Sequence, residues 1–199
     1  MCSGVTWEPD RVEGPMAVMI DIIGSVVIAG IVLLAILGLN ANMNQAMYNK
    51  TFSLITQTNA VALARMIEYD VTKIGYHAPS PALLVASPDT ISFKADLNDD
   101  GTVHTVKYFA GSTSTLGWTK NPNDRMVYRA LDGSVTPMNL GVTSLAFKYY
   151  DVNGIVTTDP KLVKSVNVYF TVQSPEPVDT GYCSSYWQKT INSKNLNIN

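Results

Sequence analysis

Residues 16–39 read MAVMIDIIGSVVIAGIVLLAILGL, and this stretch decides what the rest of the chain can be. Only Asp21 and Ser25 interrupt the apolar run, and no charged side chain follows Asp21 until Lys50. A helix of this length spans ~36 Å at ~1.5 Å per residue, enough to cross a ~30 Å hydrocarbon core with some tilt. A cleaved secretory signal has a basic start, a ~7–15-residue apolar core and a small-residue cleavage site. Here the preceding residues hold Glu8, Asp10 and Glu13 against Arg11, and the apolar run is longer. The expectation is a retained transmembrane helix over 16–39, with a bilayer as its partner. Arg11 and Lys50 are the only nearby basic residues, so charge asymmetry does little to orient it.

Upstream, residues 1–15 contain Gly4, Pro9, Gly14 and Pro15 and are read as a leader or disordered N-terminus. Pro15 suits the first turn of the helix that follows, where its missing N–H is not needed. Inside the helix, Ser25 and Ala29 form a small-xxx-small pair beside Gly24 and Gly30. Small residues let helices approach closely in lipid, although glycine is also simply frequent in membrane helices. Asp21 carries the strongest signal of any single residue. A carboxylate at mid-bilayer costs ~2.5–3.5 kcal/mol on insertion scales, so it needs a partner or a hydrated position at the membrane boundary.

Downstream, the helical pattern continues. From Asn40 to Ile74 there is neither Pro nor Gly, and the composition turns polar. Ala60, Leu63, Ala64, Ile67, Val71 and Ile74 fall at the spacing of one apolar face, with Arg65, Glu68, Thr72 and Lys73 opposite. Gly75 stands where a C-terminal cap belongs, and Pro79 and Pro81 stop any continuation. Residues 40–75 are therefore an amphipathic continuation of the helix. A helix over 16–74 would be ~90 Å long, which no domain of this size buries. Its first half is expected to stand out as a stalk and its second half to pack.

Residues 76–199 are expected to form a β-rich globular domain against which it packs. Thr90–Ala95 alternates, Asp96–Gly101 turns, and 102–110 alternates again, a hairpin signal. Arg125–Leu131 runs into Asp132-Gly133, 144–150 into the Asp151–Gly154 turn, and 164–173 sets Val166, Val168, Phe170 and Val172 on one face. Residues 182–199, with Tyr186, Trp187, Ile191, Leu196 and Ile198, are read as a docking tail. The fold class is α+β: a long N-terminal helix, transmembrane then amphipathic, packed on an antiparallel β-sheet.

The remaining numbers mostly exclude. The 199 residues suit one domain, or one domain plus an appendage, and the net charge of −2 comes without any Lys/Arg cluster, so no nucleic-acid partner is expected. Cys2 and Cys183 flank the spanning helix, and bridged Cα atoms must lie within ~7 Å, so no disulfide between them is expected. His77 and His104 are the only histidines, and neither sits in a nucleophile or zinc motif. Catalysis is not expected. Asp96, Asn98, Asp100 and Thr102, with Gly101 among them, match the start of a D-x-N-x-D-G calcium loop. The twelfth position is Lys107 instead of Glu, and Asx residues with Gly also build plain turns; the plain turn is preferred, with calcium the alternative.

In this layout the chain resembles the type IV pilin and type II secretion pseudopilin family, most of all its minor PilW-type or J-type members. The resemblance rests on Met19-Ile-Asp21-Ile-Ile-Gly24, on the segment from Thr58 through Arg65 and Asp70 to Gly75-Tyr76, and on the order of the β-segments, including Val127-Tyr-Arg129 and Asp151-x-Asn-Gly154. It implies a pilin-like fold and a structural role in a membrane-anchored filament, a type IV pilus or a secretion pseudopilus, with initiation of assembly at the tip for a minor subunit. It further implies residence in the cytoplasmic membrane as a single-pass protein with its C-terminal domain outside, and a cell-surface or periplasmic filament after assembly. The partners implied are other pilin or pseudopilin subunits, met through the N-terminal helix at Asp21, Ser25, Ala29 and Gly30. A prepilin peptidase is also implied. That enzyme cuts after a Gly and leaves an acid at the fifth mature position. Here Gly14 precedes Pro15 and would leave Asp21 seventh, whereas removal of Met16 as a start would leave it fifth. The alternative function is a single-pass, membrane-anchored, extracytoplasmic binding module.

Overall fold

The structure, a computed structural model, describes residues 14–178 and 181–196. The leader assigned to 1–15 lies outside the described residues except for Gly14 and Pro15, as do Cys2 and Ile198. Two compact units meet in sequence between Met47 and Tyr48. Both draw on a single helix, α1 (Pro15–Thr72), of 58 residues.

Gly14 caps α1, its carbonyl accepting from Ala17 N at 2.8 Å, and Pro15 occupies the first turn as its fixed φ favours. Up to Met47 the helix buries no side chain; every large apolar residue from Met16 to Leu39 is more than a third exposed. This stretch is long and apolar enough to cross a membrane.

From Thr56 onward the same helix has an inside. Ala60, Leu63, Ala64, Ile67 and Val71 are buried, and Ile74 follows just past the helix end, the apolar face that the spacing predicts. Leu63, Ile67, Val71 and Ile74 lose all solvent contact, each worth ~1.5–3 kcal/mol relative to exposure. After Thr72 the chain tightens, with Lys73 N to Asp70 O and Ile74 N to Val71 O, and Gly75 turns it at φ +78°.

Seven strands follow in one antiparallel meander, each paired with the next: β1 (Leu83–Ala86), β2 (Thr90–Ala95), β3 (His104–Ala110), β4 (Arg125–Leu131), β5 (Ser134–Tyr150), β6 (Ser165–Gln173) and β7 (Ser184–Ile191). The α1 face packs with Phe93, Val106, Tyr108, Val127, Val142, Phe147, Val168 and Phe170 into one core. β5 bends the sheet. Its first part pairs with β4 through Ser134↔Leu131 and its second with β6 through Tyr150↔Ser165. Its far end reaches the β1–β2 turn, where Phe147 N donates to Pro88 O at 2.8 Å and the Tyr149 hydroxyl donates to Ser87 O and Thr90 O. The sheet is thereby curled.

Three segments differ from expectation, each for a local reason. β1 lacks alternation because a register shift falls between Leu83 and Val85, leaving its middle exposed. β5 starts ten residues earlier than the 144–150 segment; Ser134–Pro137 is exposed and carries a proline, which hides it from apolar periodicity. The docking tail is in large part a strand: β7 lies at the sheet edge and pairs along its whole length with β6.

Candidate functional site

The assembly residues expected on α1 divide into two groups. Asp21, Ser25 and Ala29 stand at i, i+4 and i+8, within ~80° of one another around the axis, while Gly30 falls ~180° from Asp21. The helix therefore brings the first three onto one stripe and sets Gly30 on the opposite side. The Ser25 hydroxyl is satisfied inside the helix, donating to Asp21 O at 2.7 Å. A Cβ added at Gly24 or Gly30 would meet nothing within 4 Å. Among the described residues no cation pairs with the Asp21 carboxylate. The stripe thus presents an acid, a small-residue surface and no internal partner.

At the other end of α1 a buried polar cluster fixes the helix on the sheet. Asp70, 2% exposed, accepts at Oδ2 from the Tyr108 hydroxyl at 2.6 Å and from Arg129 Nε at 2.7 Å. Burial, and then the Asp70 charge, push the Tyr108 phenol far up; hydrogen bonding to Asp70 raises Arg129 further above its ordinary value. The cluster ties α1 to β3 and β4. A phenol and a guanidinium on one carboxylate leave no nucleophile, so its work is positional.

The acidic turn after β2 is organised by Asp96. Its Oδ2 accepts from Gly101 N at 2.9 Å and its Oδ1 from Asp100 N at 3.3 Å, while His77 Nδ1 lies 3.4 Å from Oδ2. Burial would raise this carboxyl; the Gly101 amide, His77 and the Asp100 amide outweigh it and hold it below the usual carboxylate range. Asp100 accepts from Thr102 N at 2.8 Å, and Asn98 is exposed. Both Asp96 oxygens are thus taken by amides of their own turn. The residues whose potential ligand atoms do come together are His77, Asp96 and Asp99, within 4.8 Å of one another. His104 begins β3. It is mostly covered, and its Nδ1 lies 2.6 Å from Asp132 Oδ2.

Sequence reading missed a fourth place, a cavity of about 410 Å³ in the β-unit. Ile55 and Asn59 of α1, Trp118, Lys120 and Asp124 of the β3–β4 connection, Gln173 at the end of β6, and Pro175 and Glu176 beyond it surround the cavity. The connection is strapped down by Asn121, whose side-chain amide donates to Gln173 Oε1 and Ser174 O, and by a Lys120–Glu176 ion pair of 2.8 Å. The signal available in sequence was a lone Trp in a polar loop, which no motif distinguishes.

Fold and site together define an α+β protein with one N-terminal helix long and apolar enough to span a bilayer. Comparison with protein-family models, curated proteins and solved structures finds no match.

Proposed function

We propose that the chain is a minor pilin-like or pseudopilin-like structural subunit of a membrane-anchored filament. The observation that carries this reading is the division of labour along α1. The helix is unburied and apolar through its first half, then buries one face in an antiparallel sheet from Thr56 onward. A subunit of this kind waits in the cytoplasmic membrane with its β-unit outside. It then exchanges lipid for the helices of neighbouring subunits, in a type IV pilus or a secretion pseudopilus, with tip initiation as the minor-subunit role. Heterologous contacts that do not close on themselves generate such fibres. Asp21 supports the reading because no cation among the described residues pairs with it, and a neighbour's N-terminal amine would supply one.

The test is Asp21→Ala. Membrane insertion should persist, because removing a charge eases burial in lipid, while co-assembly with partner subunits should be lost. Unchanged co-assembly would sink the proposal. The second reading, a membrane-anchored extracytoplasmic binding module, is favoured by the Trp118–Asp124 cavity. Under it, Asp21→Ala leaves every function intact and the activity maps to the β-unit.

A further inference from the structure

Asp124 stands out in the β-unit on charge and hydrogen bonding alone. It is 2% exposed, and its Oδ1 has no hydrogen-bond partner. Among the described residues it is the one buried side-chain polar atom left in this condition. Native proteins satisfy almost all such atoms, because an unpaired buried acceptor costs ~1–3 kcal/mol and a charged one more. No cation offsets it. Lys120, the cation of the cavity wall, pairs with Glu176, and Arg125 donates to Gly111 O at 3.2 Å. With Lys120 and Glu176 paired, Asp124 is the remaining acid of the wall, and a side-chain hydrogen bond with Thr119 still leaves its Oδ1 without a partner.

The rest of the lining narrows the ligand. Trp118 is 74% exposed at this cavity although it is among the largest apolar side chains of the chain. An indole face is the best aromatic partner for a cation. Ile55 and Pro175 are apolar, whereas Asn59, Asn139 and Gln173 offer amide groups. The volume, about 410 Å³, falls in the ~300–1,000 Å³ range of small-molecule sites. A bare metal ion would gain little from the indole and aliphatic wall, and a neutral sugar would leave the carboxylate uncompensated. An alkylammonium group meets both: its charge pairs with Asp124 and its stem lies on Trp118.

We infer that this cavity is a binding site for a primary alkylammonium group, with Asp124 as counter-ion and Trp118 as the aromatic wall. The group could arrive as a free amine or as a lysine side chain of a protein partner. The site is independent of the filament reading, since none of its residues lies on the membrane-spanning stretch.

Calorimetric titration of the full chain in detergent micelles tests it. The probes are butylammonium, Nα-acetyl-lysine-N-methylamide, and butanol as the neutral control. Binding of both cations marks a site open to lysine side chains; binding of butylammonium alone marks a free-amine site. Asp124→Asn keeps the shape and should weaken binding by about 10-fold or more, the loss expected for a charge-assisted hydrogen bond. Trp118→Ala should weaken it about 2- to 5-fold. Burial already holds the Asp124 carboxyl above its ordinary value, so Asp124→Asn should also raise the unfolding midpoint of the free protein at neutral pH. That rise separates loss of a ligand contact from loss of fold. No binding by either cation, equal binding by butanol, or undiminished binding by Asp124→Asn each overturns the inference.

Discussion

At the residue scale, charges in this protein act through what surrounds them. Asp21, Asp70, Asp96 and Asp124 are four aspartates with four fates: on the apolar helix with no cation among the described residues, clamped by Tyr108 and Arg129, capped by turn amides, and buried with Oδ1 left without a partner. His104 and Asp132 allow a test by pH. Hydrogen bonding to Asp132 outweighs burial and raises the His104 imidazole above 6.5, with the Asp132, Asp100 and Asp96 charges adding to the field. In return, His104, and then Thr105 N donating at 2.7 Å, hold Asp132 below 3.8. The histidine's contribution is therefore present in full below 6.5 and is lost as pH rises through its elevated folded value. The aspartate's contribution is present above 3.8 and is lost as pH falls through its depressed one. The pair stabilises most between those limits. His104→Ala should lower the unfolding midpoint most at about pH 5 and progressively less above neutrality. Thermal scans from acid to alkaline pH check this, and a constant offset across the range would contradict the assignment.

At the element scale, the end of α1 depends on one glycine and on the tail that meets it. Gly75 adopts φ +78°, and an added Cβ would stand 2.4 Å from the backbone oxygen of Asn195. Ser193 reinforces the meeting by donating to Ile74 O at 2.7 Å. Gly133, at φ +87° in the β4–β5 turn, has open space around it. Gly75→Ala should therefore cost ~2 kcal/mol or more, strain plus displacement of the tail, against ~1 kcal/mol for Gly133→Ala. Urea midpoints of the two variants measure the difference. Equal losses would mean that the tail does not press on the helix end. The cap at Gly75 was legible because only a glycine there ends the helical pattern cleanly; that the tail backbone fills the space where its Cβ would be was not.

At the scale of the whole molecule, every buried apolar side chain among the described residues lies at Ala60 or beyond, within the unit Tyr48–Asn199. That unit expressed alone should be soluble and should unfold in one cooperative step, with near-ultraviolet dichroism from Trp118 and Trp187 preserved. An aggregated or uncooperative fragment would show that the apolar half of α1 contributes to folding.

The sequence by itself determined the elements whose pattern is local. The apolar run of 16–39, the face from Ala60 to Ile74 and the strands Thr90–Ala95 and Arg125–Leu131 follow from hydrophobic spacing, and Ser165–Gln173 from strict alternation. Tertiary structure alone decided what converges. Leu83–Ala86 becomes a strand through its pairing with β2, and Ser184–Ile191 through its pairing with β6, not through their own periodicity. Asp70 meets Tyr108 and Arg129, and Asp124 shares a wall with Ile55 and Trp118, because β5 changes partner and curls the sheet around the helix. Periodicity reports which side of one element is buried; it carries no information about register between elements, and register places these charges. The opening stretch stays as legible as before, apolar and long enough to span a bilayer, with an acid on its surface that no cation among the described residues pairs.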